Sequence, residues 1–488
     1  MIGAETAGAP GADGLPRSAP EAQGLPAAAV QAFLDAAERD VRYLHGFMLL
    51  RHGAVVAEGW WEPYAAPRRH MLFSLSKSFT STAVGLLVAE GKLAVEDPVL
   101  DFFPAAAPAA PGAHLRAMRV RDLLTMTTGH DKDATGAVFR QGGPDWVRTF
   151  LALPVEHQPG THFAYNTAAT YILSAIVQRV SGERLLRFLG PRLFEPLGIA
   201  GPTWETSPQG IDVGGSGLSL TTADIARFGQ LYLQKGIWQG AQLVPRAWIE
   251  AATARQVPNG PSQNPDWVQG YGYQFWRCRH GAYRGDGAFG QFCVVLPAQA
   301  TVVAITAGLS SMQRVLDLVW EHLLPALGPA PLADDPAAGE ALGARLAALR
   351  LPPPPGAAAS PLAAGVSGRW FAVDQNADGI EALRFEFGVH GCRLTVRNAG
   401  GEQPVPCAHG AWAAGRAAIE RAEPWALAAA GAWADERTYV AQLWWAETPF
   451  GRTLTCRFEG DRVRVEQQGH VAFGPAERPV LHGRAGPA

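Results

Sequence analysis

The stretch Phe73-Ser74-Leu75-Ser76-Lys77-Ser78-Phe79-Thr80-Ser81-Thr82 sets Ser74 and Lys77 three residues apart at the head of the apolar run Ala83 to Val88. Residues three apart share a face of a helix, so this spacing predicts that the Lys77 amine reaches the Ser74 hydroxyl. A serine hydroxyl becomes a nucleophile when something takes its proton, and a lysine can do this only when neutral. Burial in an apolar helix lowers an amine's pKa and supplies that neutral form. Ser-x-x-Lys also opens many ordinary surface helices. Here the chain has only four lysines, Lys77, Lys92, Lys132 and Lys235, and no further charge enters the run before Glu90, which favours the catalytic reading.

The 488 residues exceed one ordinary core and predict two domains. A formal charge of −3 gives neither a nucleic-acid footprint nor a polyanionic surface. No apolar run is long enough to span a bilayer, and Met1 to Pro26 is rich in Gly, Ala and Pro without the pattern of a secretory signal, so a cytoplasmic protein is expected. The five cysteines, Cys278, Cys293, Cys392, Cys407 and Cys456, are odd in number and lack a Cys-x-x-Cys pair, which reads as buried free thiols. His-Glu-x-x-His is absent and the histidines do not cluster along the sequence, so no metal and no cofactor are expected.

Outward from Ser74, Ala27 to Glu38 reads as an amphipathic helix, and Gly46 to Arg51 with Ala54 to Trp61 reads as a hairpin turning at His52-Gly53. The Ser74 helix is expected to end near Gly91. A second apolar helix, Ala168 to Val180, follows the turn-rich segment that carries Tyr165-Asn166-Thr167, and Thr222 is placed to cap a helix running to Leu233. Tyr165 at this junction is either a packed aromatic or, near an amine and a serine, a proton shuttle. Gly285-Asp286-Gly287-Ala288-Phe289-Gly290 fits the dinucleotide fingerprint, but that pattern must open a helix and here it opens the strand-like Gln291 to Pro297. Its glycines are instead expected to let a substrate lie close to a sheet edge. Strand Thr301 to Thr306 and helix Met312 to Leu327 complete an α+β pattern. A Pro/Ala-rich linker is expected over 328–364, followed by a β-meander of six to eight strands in which Leu383, Phe385 and Phe387, and later Leu454, Cys456 and Phe458, alternate with polar residues.

With Ser74-x-x-Lys77, the Tyr165 junction and the glycine-opened late strand in this order, the chain resembles the class C β-lactamase-like serine hydrolases. Asp122-Leu123-Leu124-Thr125-Met126-Thr127-Thr128-Gly129 and Phe194-Glu195-Pro196-Leu197-Gly198-Ile199 resemble that family in detail. Composition marks 1–25 as a flexible segment and 328–364 as the linker, and alternation over 365–486 reads as an all-β barrel or sandwich; the resemblance implies a β-lactamase/transpeptidase-like α+β domain over 26–327, and the C-terminal part resembles the β domains appended to some members. It implies an acyl-enzyme in which Ser74 attacks, Lys77 takes its proton, Tyr165 relays a proton to the leaving group, and backbone amides of Ser74 and Ala288 form the oxyanion hole. Asn166, Thr167, Gly285, Asp286 and Gly287 would line the substrate. Two positions depart from the family: Thr167 stands where Tyr-x-Asn would put the asparagine, and no lysine or histidine precedes Gly287. These departures favour a small ester or amide as substrate over a β-lactam. They leave open a ligand-holding or sensory protein without turnover, and a D-amino-acid peptidase.

Overall fold

The structure, a computed structural model, describes residues 11, 13–420 and 423–486. The hairpin forms as β1 (Leu44–Arg51) and β2 (Ala54–Trp60). The strands β3 (Trp276–Arg277), β4 (Tyr283–Gly287), β5 (Gln291–Leu296) and β6 (Thr301–Ala307) join it in one antiparallel sheet ordered β2-β1-β6-β5-β4-β3. Alternation along β1 serves both faces of this sheet. Met48 and Leu50 join the core shared with α2 (Ser76–Ala89), α3 (Thr167–Ser181) and α4 (Thr222–Leu233), whereas Phe47 and Leu49 join the core shared with α1 (Ala27–Asp40) and α5 (Met312–Leu318). The helix caps follow local chemistry. Gly91 and Gly182 take φ of +68° and +77° just beyond α2 and α3, a conformation in which a Cβ is unwelcome. The cap of α4 is Thr221, one residue before the expected Thr222, in a reciprocal box with Asp224.

Two expectations need correction. Residues 1–10 and 12 of the expected flexible lead lie outside the described residues, but 13–25 are packed: Leu15 and Leu25 are buried and Arg17 pairs with Glu58 at 2.7 Å. The expected linker 328–364 holds a helix, α6 (Pro336–Ala347), and lies along α1 and β2 with Leu342, Leu349 and Leu351 buried. Its proline and alanine content conceals three well-spaced leucines. Gly59 of β2 accommodates this strap, because a Cβ there would come within 2.5 Å of Leu349.

Among the described residues between Trp370 and Ala485, ten strands form a second sheet, more than the six to eight expected. Neighbours are antiparallel, the first strand pairs with the last, and a short parallel pairing of Cys407 and Ala408 with Ala429 and Ala430 closes the barrel. The strands Ala413–Ala417 and Trp425–Trp433 are alanine-rich, so they lack the alternation by which the others were read. All five cysteines are free and buried.

Candidate active site

Ser74 lies in a tight 3-10 turn, Phe73–Leu75, that feeds α2. Phe73 has φ of +48°, a strained choice for a residue with a Cβ. The surroundings hold that turn in place: Leu75 N–H donates to Leu72 O at 3.1 Å, Leu72 N–H to Leu218 O at 2.9 Å, and Met71 N–H to Glu447 O of the barrel at 2.8 Å.

Lys77 is the second residue of α2, in its first turn, with 1% of its surface exposed. Its Nζ donates to Ser74 Oγ at 3.0 Å, Thr167 Oγ1 at 3.1 Å and Gly215 O at 2.7 Å. Burial lowers its pKa from 10.5 to about 7, against the opposing pull of Asp133 and Asp286. Near neutrality much of this amine is therefore unprotonated and able to accept the Ser74 proton. The Tyr165 ring lies 4.9 Å from the same Nζ, stacked on Trp276 at 5.2 Å, and its hydroxyl interacts with the Ser74 side chain. Burial, reinforced by the Asp286 charge, drives the Tyr165 pKa far above its usual value. The phenol stays protonated and is a proton donor.

The structure thus brings Ser74, Lys77, Tyr165 and Thr167 together, and it separates Asn166 from them. Asn166 is fully buried: its Oδ1 accepts from Ala168 N–H at 3.1 Å as the cap of α3 and from Ala134 N–H at 3.3 Å. It offers no surface to a substrate, so the expectation that it lines the substrate is corrected. Thr167 is the residue that faces the amine.

Gly285 and Gly287 do lie on β4, but the close approach they permit is to the Ser74 turn. A Cβ on Gly287 would stand 2.0 Å from Leu72 O, and one on Gly285 would stand 2.5 Å from Leu75 and 2.6 Å from Ser78 Oγ. This corrects the expectation that both glycines make room for substrate, and it brings Ala288, the next residue, beside the Ser74 turn. Asp286 is 7% exposed and pairs with the wholly buried Arg284, Nε to Oδ2 at 2.8 Å. Burial raises the Asp286 pKa although Arg284 opposes it. Arg284 also donates to Asp266 O at 2.8 Å and stacks on Trp267, so it presents no charge to the cleft.

Two participants were not singled out from sequence. Gly215 supplies a carbonyl to Lys77, and a Cβ there would stand 2.6 Å from Thr167 Cγ2. Its signal was the glycine pair at 214–215. Asp133 Oδ1 accepts from Thr167 N–H at 3.3 Å at the positive end of α3 and is one of the charges felt by Lys77. Away from this cluster, Asp131, His157 and His162 come within 4.8 Å of one another through their ligand atoms, a grouping hidden by their spacing in the chain.

The family model described as Beta-lactamase matches residues 23–321. The chain belongs to the beta-lactamase family. Within this beta-lactamase family, the 6-aminohexanoate-dimer hydrolase of Paenarthrobacter ureafaciens is 28% identical over 281 residues, 53% of this chain and 70% of that protein. Esterase EstB of Burkholderia gladioli is 29% identical over 197 residues, 36% of this chain and half of its own length. The octameric penicillin-binding protein homologue from Pyrococcus abyssi superposes with a TM-score of 0.50 at 17% identity, covering 94% of this chain and 99% of that one. At that identity the likeness speaks for the fold alone, and it extends through the barrel. Among the described residues no helix is long and apolar enough to cross a membrane.

Proposed function

We propose that the protein is a serine hydrolase that cleaves a small ester or linear amide through an acyl-enzyme on Ser74. The observation that carries this reading is a buried amine, its pKa lowered to about 7, bonded to the serine hydroxyl at 3.0 Å. Neutral Lys77 takes the Oγ proton as Oγ attacks the carbonyl carbon. The oxyanion formed meets the backbone N–H groups of Ser74 and Ala288, each donor contributing roughly 3–4 kcal/mol in comparable sites. Tyr165, held as the neutral phenol, gives its proton to the leaving group as the bond to carbon breaks, and regains one from Lys77. Water then attacks the acyl carbon as Lys77, again neutral, takes its proton through Tyr165, the bond to Oγ breaks, Oγ takes that proton back, and the acid leaves. The hydrolase unit spans 26–327, and the relatives named as an amide hydrolase and an esterase support the substrate class. Mass spectrometry after treatment with a fluorophosphonate tests the reading: one adduct on Ser74, lost together with p-nitrophenyl ester turnover in Ser74→Ala, is the expected result. Folded wild type that takes up no label would replace it with a ligand-holding role.

A further inference from the structure

The barrel reaches the candidate site through two loops. Phe450 lies between the strands Thr438–Trp445 and Gly451–Glu459, and Phe473 lies between Arg462–Gly469 and Glu477–Ala485. Both rings meet rings of the hydrolase unit. Phe473 stands 5.5 Å from Phe73 and 4.7 Å from Phe289, Phe450 stands 6.1 Å and 5.7 Å from the same two, and Phe73 and Phe289 are 5.6 Å apart. Most of these contacts are edge-to-face, the arrangement aromatic pairs prefer.

The position of this group follows from covalent connectivity. Phe73 directly precedes Ser74, and Phe289 directly follows Ala288. The rings therefore hang from the two backbone segments proposed to hold the carbonyl oxygen. Lys77, bonded to Thr167, and Tyr165, the polar groups suited to a leaving group, meet at the Ser74 hydroxyl, and the Tyr165 ring packs on Tyr271 and Trp276. An apolar group beside the oxyanion segments meets the substituent that stays on the carbonyl carbon.

Phe473 is 73% exposed although it touches two rings, whereas a phenylalanine that served only to join the domains would be covered. The loops that carry the rings are anchored at their roots. His470 packs on Trp444 at 4.3 Å, His470 N–H donates to Gly451 O at 3.0 Å, and Tyr64 of the hydrolase unit donates to Thr448 O at 2.9 Å. A fixed loop presenting an uncovered ring is a wall prepared for a ligand.

We propose that Phe450 and Phe473 of the barrel, with Phe73 and Phe289, form an apolar subsite that takes the acyl group of the substrate and selects medium-chain over acetyl substrates. The proposal rests on the acyl-enzyme reading for its chemistry, but its binding component can be judged without turnover. The measurement compares kcat/KM for p-nitrophenyl acetate, butyrate and octanoate in wild type, Phe473→Ala, Phe450→Ala and Val389→Ala. Val389 is 87% exposed on a barrel turn outside the aromatic group.

Phe473→Ala is expected to lower the octanoate value about tenfold, the worth of part of a phenylalanine's apolar contact, while acetate stays within about twofold. Phe450→Ala should act in the same direction, and Val389→Ala should leave the ratio unchanged. An octanoate-to-acetate ratio that is the same in wild type and Phe473→Ala overturns the proposal. Calorimetry on Ser74→Ala with octanoate and acetate reads the subsite independently: octanoate should bind more tightly, and adding Phe473→Ala should remove the difference. No difference between the two acids in Ser74→Ala also overturns it. Failure of wild type to take the fluorophosphonate label would defeat the acyl-enzyme reading instead, with the calorimetry still deciding the subsite.

Discussion

A lysine in the interior is held in its neutral form by the same burial that makes it costly, and in this protein the two effects meet at Lys77. Because its pKa is about 7 in the fold, kcat/KM should rise with pH through an apparent pKa near 7, which a pH-rate profile on a p-nitrophenyl ester would read. Stability carries the matching signature. Between about pH 7 and 10.5 the unfolded chain binds a proton at this site that the folded chain does not, so stability rises with pH across that window. Lys77→Met should remove that rise, at most about 1.4 kcal/mol per pH unit, together with activity. Tyr165→Phe removes only the proton donor and should cost about 10²–10⁴ in kcat with the fold intact. Because Arg284 is buried against Asp286, nitrocefin, whose carboxylate calls for a free cation, should turn over poorly beside simple esters; efficient hydrolysis would contradict this. The pair Ser74 and Lys77 was legible in the chain because three residues separate them on one helix face. The carbonyl of Gly215, 138 positions from Lys77, could be assigned only once the fold had joined them.

Among the secondary-structure elements, the junction of α2 with β4 determines whether the serine turn can exist. Gly287 leaves room for Leu72 O where a methyl group would stand 2.0 Å away, and β4 is held in register by β5, with Gly287 opposite Gln291. Gly287→Ala should therefore destabilise by about 3 kcal/mol or more, or force the Ser74 turn out of place, as a denaturant melt together with the fluorophosphonate labelling rate would show. Asn166→Ala should cost about 1 kcal/mol through loss of the α3 cap, with a smaller effect on chemistry than Thr167→Val. Most elements were readable because their periods are clean. The hairpin, α1 to α4, and β5 with β6 carry continuous or alternating apolar residues bounded by glycine or proline. The glycines of 285–287 were recognised as permitting a close approach, but a strand pattern does not reveal which neighbour approaches, and it proved to be the protein's own helix.

For the molecule as a whole, the barrel and the beta-lactamase-family unit share a buried seam of unusual polarity. His45 Nδ1 and His70 Nε2 share a hydrogen bond of 3.0 Å, His70 Nδ1 donates to Met71 O, Tyr64 stacks on His45 at 3.7 Å, and Trp444 lies between His45 and His470. Burial pushes the pKa of His70 and of His470 down to about 4. In the unfolded chain these imidazoles take up protons near pH 6.5. Stability that is complete above that value should therefore fall as the pH drops from about 6.5 to 4, and a melting-temperature series across that range would read it, with His70→Asn flattening the slope. None of this seam was legible, because its members come from both ends of the chain. The strap over 328–364 was misread for a related reason: composition marks flexibility, whereas packing depends on where three leucines fall.

The bond from Met71 N–H to Glu447 O joins the approach to Ser74 to a residue made hundreds of positions later. At roughly 5–20 residues per second, the ribosome emits Ser74 tens of seconds before the barrel loop that braces its turn. During that interval the nascent chain holds Ser74 and Lys77 without this support, so the geometry of the site waits on a segment synthesised hundreds of residues after it.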